Sequence, residues 1–332
     1  MHPLLRARAG RHFGVFTARD AVLAGYTHEQ VQAEVTRGRW LRLRRGAYAD
    51  RDTVEAARAS PADWHRLLCA AVLIRLGGSP AISHASAARL LGIPVPAASD
   101  ERVRLTDPAQ WRRGRDYDVS RATLSAHHLT PLGPFTMTSP ARTLVDCGRE
   151  WELEDSVIAM DAALHSGRLT VDELRAAVLE QTHWLGIGAA ARAANLADPR
   201  SESPLETLGR LKIIGSGLPT PELQVEIHDS RGLVARIDAW YEEAAVAVEF
   251  DGLVKYEDPW DGRTPGRVLW DEKRREDRVR DLDIRVIRLA RPDIGLGWPR
   301  VEARLRSLIA LPMTRPRRFH VVRTGLPRTH TA

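Results

Sequence analysis

Apolar residues return every third or fourth position in some stretches and every second position in others, and this change of period divides the chain into parts. In residues 1–50, Thr17 with Asp20 forms a loose capping box for ARDAVLAG, a short helix that Gly25 ends. Thr27 caps HEQVQAEVTRGR, where Val31 and Val35 share one face and Gly38 stops the helix. The stretch WLRLRRGAYA then alternates, Leu41 and Leu43 interleaving with Arg42 and Arg44 in a strand and turn. Helix, turn, helix and basic ribbon predict an N-terminal winged helix-turn-helix. Such units set the second helix in the major groove and the wing arginines on phosphate.

Residues 51–200 read as a mixed α/β middle rich in helices. ADWHRLLCAAVLIRLG is an amphipathic to buried helix, and Ser83 caps HASAARLLG, which Gly92 and Pro94 end. RVRLT and DYDVSRATLSAHH read as strands, and Ser139-Pro140 opens the helix PARTLVDCGRE. Arg142 and Asp146 stand four apart, which predicts an ion pair on one helix face. His127 and His128 are neighbours in a predicted strand and point to opposite faces, so no metal is expected at them or at His84. LADPRSE, residues 196–202, reads as a linker.

Residues 201–311 follow the order helix, three strands, loop, helix, strand, helix. The strands are ELQVEIHD, LVARIDAWY and AAVAVEFDG, and later IRVIRLA; the charged helix is VLWDEKRREDRVRDLD. In the second strand Arg236, Asp238 and Trp240 share a face; in the third, Glu249 and Asp251 lie opposite Val246, Val248 and Phe250. A tight hairpin at Glu242-Glu243 sets Asp238 across from Ala247, with Glu249 its diagonal neighbour, about 7–8 Å away at the backbone. Asp238, Glu249 and Asp251 then converge at a strand end, to be neutralised by Arg236 or by a bound Mg²⁺. Against a site stand plainer readings: Glu206 fits a capping box with Ser203, Asp251-Gly252 is a turn dipeptide, and Lys273 sits on a solvated charged helix face.

Composition adds the electrostatics. The 332 residues carry a net charge of +6, with 43% hydrophobic and 28% charged residues, which describes a folded protein of two or three domains. Residues 1–50 hold nine arginines against four acids, and residues 312–332 hold five arginines and no acid. Basic ends on a neutral body point to a polyanion partner, most often nucleic acid. The tail 312–332 is therefore expected to be flexible or to lie on DNA. Only Lys212, Lys255 and Lys273 are lysines, which draws attention to the last two. No run of about 18 apolar residues occurs, so no membrane span is expected. The start MHPLLRARAGRHF lacks the apolar core of a secretory leader, and two cysteines make no disulfide framework. The expected compartment is the cytoplasm.

Residues 201–294 resemble the very-short-patch-repair-like branch of the PD-(D/E)xK nucleases. The match runs through SESPLE, GLPTPELQ, RIDAWY, VEFDG, KYED and WDEKRREDRVRDLDIRVIRL in order. The resemblance implies a restriction-endonuclease-like αβββαβ core that binds Mg²⁺ for phosphodiester hydrolysis. It implies Glu206 as the helix acid, Asp238 as the central metal-binding aspartate and Glu249 as the third-motif acid. The superfamily's lysine two residues after that acid is Asp251 here, so Lys255 or Lys273 would have to replace it. Residues 10–190 are similar to AbiEi-type antitoxins of type IV toxin–antitoxin systems, through the spacing from Gly38 to Tyr48 and through SHASAARLLGIP and SPARTLVDCG. That resemblance implies binding to promoter DNA through Arg37, Arg39, Arg42, Arg44 and Arg45, and a nucleotidyltransferase-like toxin as partner. Two functions follow as expectations: an Mg²⁺-dependent endonuclease of repair or defence, or a non-catalytic autoregulator with a degenerate nuclease fold. Neither resemblance sets the oligomeric state. The expected organisation is 1–50, 51–200 and 201–311, with 312–332 as tail.

Overall fold

Threonine caps start the second and third helices where the sequence places them. The structure, a computed structural model, describes residues 1–77, 80–251 and 265–323, apart from the side chains of 265–269 and 271–273. Helix α1 (Pro3–Gly10) leads to β1 (Phe16–Thr17), α2 (Ala18–Leu23), α3 (His28–Thr36) and the hairpin of β2 (Trp40–Arg44) and β3 (Ala47–Asp50). Thr17 Oγ1 accepts from the Asp20 N–H at 3.1 Å, and Asp20 Oδ2 accepts from the Thr17 N–H at 2.9 Å. Thr27 and Gln30 repeat the box at 3.2 and 2.8 Å. Each box satisfies donors that a first helical turn leaves unpaired. The strands pair antiparallel in the order β1-β3-β2. Leu5, Phe16, Ala21, Val31 and Trp40 form one core against them, Phe16 edge-on to Trp40 at 4.8 Å.

Residues 1–50 do not close on themselves. Val15, Ala47 and Ala49 share a second core with Val54 of α4 (Arg51–Arg58) and with Leu67, Ala70 and Ala71 of α5 (Pro61–Leu76). The chain gathers into two compact units: Met1–Ala159 with Leu169–Ala194, and Met160–Arg168 with Asn195–Ala332. The first unit continues through β4 (Ala81–Ile82), α6 (His84–Leu90), β5 (Val103–Asp107), β6 (Arg112–Arg113) and β7 (Tyr117–Arg121). A 3₁₀ turn (Ala126–His128), β8 (Leu129–Leu132), β9 (Phe135–Thr138) and α7 (Pro140–Gly148) follow, and the unit boundary falls within α8 (Leu153–His165). Helices α9 (Val171–Glu180) and α10 (Ile187–Leu196) come next. The mixed sheet has the order β6-β7-β5-β4-β9-β8, with β5–β7 and β4–β9 parallel. Ser83 does not cap α6; its Oγ lies 2.8 Å from His84 Nδ1 and accepts from Thr106 Oγ1.

The second unit contains α11 (Pro204–Gly215), β10 (Glu222–Asp229), β11 (Gly232–Tyr241), β12 (Val246–Phe250), α12 (Pro265–Asp281) and β13 (Arg285–Leu289). Short α13 (Arg291–Ile294), α14 (Trp298–Ile309) and β14 (His320–Arg323) complete it. The sheet order is β13-β12-β11-β10-β14. Strands β10 to β12 are antiparallel neighbours, and β12 pairs parallel with β13 across the connection that holds α12, as parallel pairing requires. One core joins Ala239, Tyr241, Val246, Val248 and Phe250 to Ile213, Trp298 and Leu305; another joins Ile237, Trp240 and Ala247 to Val279 and Leu282.

The basic end departs from expectation up to residue 323. Strand β14 pairs antiparallel with β10, and Phe319 is buried with its ring 6.0 Å from that of Trp240. Its arginines neutralise acids of their own unit: Arg315 pairs with Asp283 at 2.7 Å, Arg317 with Glu242 and Arg323 with Glu222 at 2.6 Å. No helix among the described residues is long and apolar enough to cross a membrane.

Candidate functional site

The acids singled out by sequence lie in the first turn of α11 (Glu206), within β11 (Asp238), in β12 (Glu249) and just after β12 (Asp251). Glu206 is the third residue of α11 and completes its cap: Ser203 Oγ accepts from the Glu206 N–H at 3.2 Å and donates to Glu206 Oε1 at 2.8 Å. Its other oxygen accepts from the Glu202 N–H at 2.9 Å and from Gln224 Nε2 at 3.0 Å. The cap reading of Glu206 is what these hydrogen bonds show. Burial, helped by the charge of Asp238, pushes the Glu206 carboxyl above the usual glutamate range.

Gln224 was missed by sequence reasoning. It is buried at 5% exposure in β10 with φ +52°, between the residues that pair with Ala239 and Ile237. A left-handed glutamine inside a strand is uncommon, and it breaks the alternation. Opposite it on β11, Ile237 packs in one core and Ala239 in the other, although they stand two apart. Arg236 Nε donates to Gln224 Oε1 at 2.8 Å, and Arg236 also pairs with Glu202. The expected neutralisation of Glu249 by Arg236 is thus replaced by a relay from Arg236 through Gln224 to Glu206.

The hairpin register also differs. Tyr241 pairs with Val246, Trp240 with Ala247 and Ala239 with Val248. Continued by one residue, this register sets Asp238 across from Glu249 rather than diagonal to it. The cause is a four-residue connection, 242–245, in which Ala245 takes φ +46°, in place of a tight two-residue turn. The Phe250 N–H donates to Asp238 Oδ2 at 2.8 Å.

Glu249 is held by two guanidinium groups, Arg275 of α12 at 3.3 Å and Arg288 at 3.1 Å, the latter its parallel partner on β13. Asp251 is half-buried and its N–H donates to Leu289 O at 2.9 Å. Lys255 lies outside the described residues; Lys273 lies in α12, its side chain likewise outside them. Among the described residues, one trio of histidine, cysteine or acid ligands has its atoms within 4.8 Å of one another, and it is not Asp238, Glu249 and Asp251.

That trio is His127, His128 and Glu180. The predicted strand is a 3₁₀ turn here, so both rings converge on Glu180 Oε2, at 3.0 and 2.8 Å. The Ser125 N–H points at His128 Nδ1 from 3.2 Å, and Arg142 Nη1 lies 3.4 Å from the same nitrogen. Two donors on Nδ1 place the ring proton on Nε2, where it serves Glu180. A cation on Nε2 would need the opposite tautomer, and the three side chains are close enough to hold one, so the expectation of diverging rings is corrected. These hydrogen bonds hold the Glu180 carboxylate below the usual range.

The five N-terminal arginines divide. Arg39 makes two hydrogen bonds to Glu34, and Arg37 lies 3.9 Å from the same carboxylate. Arg44 pairs with Asp116 at 3.4 Å and lies over the Tyr117 ring at 5.1 Å, so it braces the first unit and does not face outward as a phosphate contact. Arg42 and Arg45 are exposed.

No family model matches the chain. It is similar to two uncharacterized proteins from strains of Mycobacterium tuberculosis. Each is 27% identical over 279 residues, 84% of this chain and 96% of the relative. The similarity is too long to rest on either compact unit alone.

Proposed function

We propose that the protein binds DNA through residues 1–50 and carries a PD-(D/E)xK-like core in its C-terminal unit. One observation supports the first half: the order α1-β1-α2-α3-β2-β3, with the sheet order β1-β3-β2, is compatible with a winged helix. In that arrangement α3 enters the major groove and the β2–β3 hairpin lies on phosphate. Arg42 and Arg45 are the wing residues available for it. The order α11-β10-β11-β12-α12-β13 supports the second half. Fluorescence anisotropy with duplex DNA across a salt series tests the binding. Affinity should fall steeply with salt, and Arg42→Ala with Arg45→Ala should lower the slope by about two. A flat salt response would refute phosphate-driven binding.

For the C-terminal unit, the ion pairs of Glu249 favour regulation over cleavage. Mg²⁺ takes carboxylate oxygens in near-octahedral geometry, whereas here both Glu249 oxygens face arginines and Asp238 Oδ2 holds a backbone N–H. As arranged, these residues do not fit the ion. The reading is a DNA-binding autoregulator of the antitoxin kind, beside a nucleotidyltransferase-like toxin, with a degenerate nuclease fold. A second reading, Mg²⁺-dependent endonuclease action in repair or defence, is supported by the placement of Glu206 on α11, Asp238 on β11 and Glu249 on β12 in that element order. Plasmid and duplex DNA incubated with Mg²⁺ or Mn²⁺ separate the two. Cleavage that disappears in both Asp238→Ala and Glu249→Ala establishes the nuclease. Intact DNA, with binding to upstream DNA retained, supports the regulator.

A further inference from the structure

The segments SHASAARLLG and SPARTLVDCG lie far apart in the chain, outside residues 1–50 and outside the C-terminal unit. In the first unit they meet. His84 from the first, and Arg142 and Asp146 from the second, line a cleft of about 340 Å³ together with Arg121, Arg149 and Trp184. Arg142 and Asp146 are 0% exposed and bonded Nε to Oδ2 at 2.9 Å. Arg142 Nη1 donates to Thr123 O at 3.0 Å. Its remaining nitrogen, Nη2, is buried and has no hydrogen-bond partner among the described residues.

That orphan is unusual for an arginine so deeply enclosed, because a buried guanidinium N–H without an acceptor costs the full desolvation of the group. Trp184 does not supply the acceptor. Its ring lies with Arg142 Cζ 4.5 Å and Arg149 Cζ 4.9 Å from the centroid, a cation–π contact that offers no oxygen. Guanidinium N–H bonds lie in the plane, so the edge of Arg142 still calls for an oxygen.

The surroundings supply positive charge and little competition for it. Asp146 is already taken by Arg142 and by Arg149 Nη1 at 3.3 Å. Glu150 is held by both terminal nitrogens of Arg104 at 2.9 Å. With both carboxylates engaged, the guanidinium groups of Arg121, Arg142 and Arg149 leave the cleft cationic. His84, 4% exposed, is kept at φ +51°, a conformation that a histidine adopts only where its surroundings enforce it.

We infer that this cleft binds a small oxyanion, a phosphate or carboxylate group on a compact organic body, its charge met by the guanidinium groups of Arg121, Arg142 and Arg149. Trp184, in cation–π contact with two of these arginines, reports on occupancy. The site lies in the first unit and does not depend on the acids of the second.

Thermal melts and tryptophan emission of the full chain, titrated with inorganic phosphate and separately with succinate, test this against sodium chloride at matched ionic strength. The expected result is a saturable rise in Tm with one or both oxyanions, accompanied by an emission change that Trp184→Phe abolishes. Whichever probe binds names the headgroup. Arg121→Glu should weaken binding by about tenfold or more. Arg121 is exposed and Trp184 half-buried, so neither change opens the buried ion pair. A response that chloride reproduces, or one indifferent to both Arg121→Glu and Trp184→Phe, overturns the inference.

Discussion

Glu206 holds a helix start and faces another carboxylate at once, and this has a measurable consequence. Its folded pKa is raised by burial and by Asp238, so between the ordinary glutamate value and the raised one the folded state binds more protons than the unfolded chain. Stability from this group is therefore greatest at low pH and falls as pH rises through that window. In urea titrations from about pH 4 to 7, Glu206→Gln should remove this downward slope relative to the parent protein. An unchanged slope would place the titration elsewhere. Arg142 makes a different prediction. Asp146 is fully buried, and removing its principal partner leaves an undercompensated charge. Arg142→Ala should cost about 3–5 kcal/mol in urea unfolding, far more than an exposed pair would.

At the scale of elements, helix–sheet contact depends on one glycine. A Cβ at Gly209 of α11 would stand 1.9 Å from Phe250 Cε1 of β12. Gly209→Ala should destabilise by about 1–3 kcal/mol despite alanine's better helix propensity, and Phe250→Leu in the same chain should recover part of the loss. Chemical denaturation of the single and double variants measures the coupling. The hairpin β2–β3 shows the same dependence on context: Arg42, Arg44 and Arg45 read alike in sequence, yet Arg44 is turned onto Tyr117 and Asp116. Arg44→Ala should lower Tm and leave the salt slope of the proposed DNA binding unchanged, the reverse of the Arg42 and Arg45 variants. Cross-strand placement of Asp238 and Glu249 was legible in type but not in register, because four residues, not two, make the turn.

At the scale of the whole molecule, the basic end is partly a structural strand. Strand β14 pairs with the β10 edge, and Met313 N–H donates to Glu243 O at 3.0 Å. Ending the chain at residue 311 should expose Trp240 and an unpaired strand edge, lowering Tm and promoting aggregation in light scattering. If the shortened chain keeps its melting point, β14 is dispensable. What the sequence determined by itself was local or periodic: the caps at Thr17, Thr27 and Ser203, the order of helices and strands in residues 201–311, the i,i+4 pair of Arg142 and Asp146, and the identities of the acids. These rest on short-range backbone bonds and on side-chain period. Tertiary structure alone decided which arginine meets which acid, that Gln224 sits left-handed between Glu206 and Arg236, that His127 and His128 share Glu180, and that two distant motifs line one cleft. Long, flexible guanidinium groups find partners across tens or hundreds of residues, and composition offered 46 of them. Their pairing follows from how the sheets bring the chain together, which no local pattern encodes.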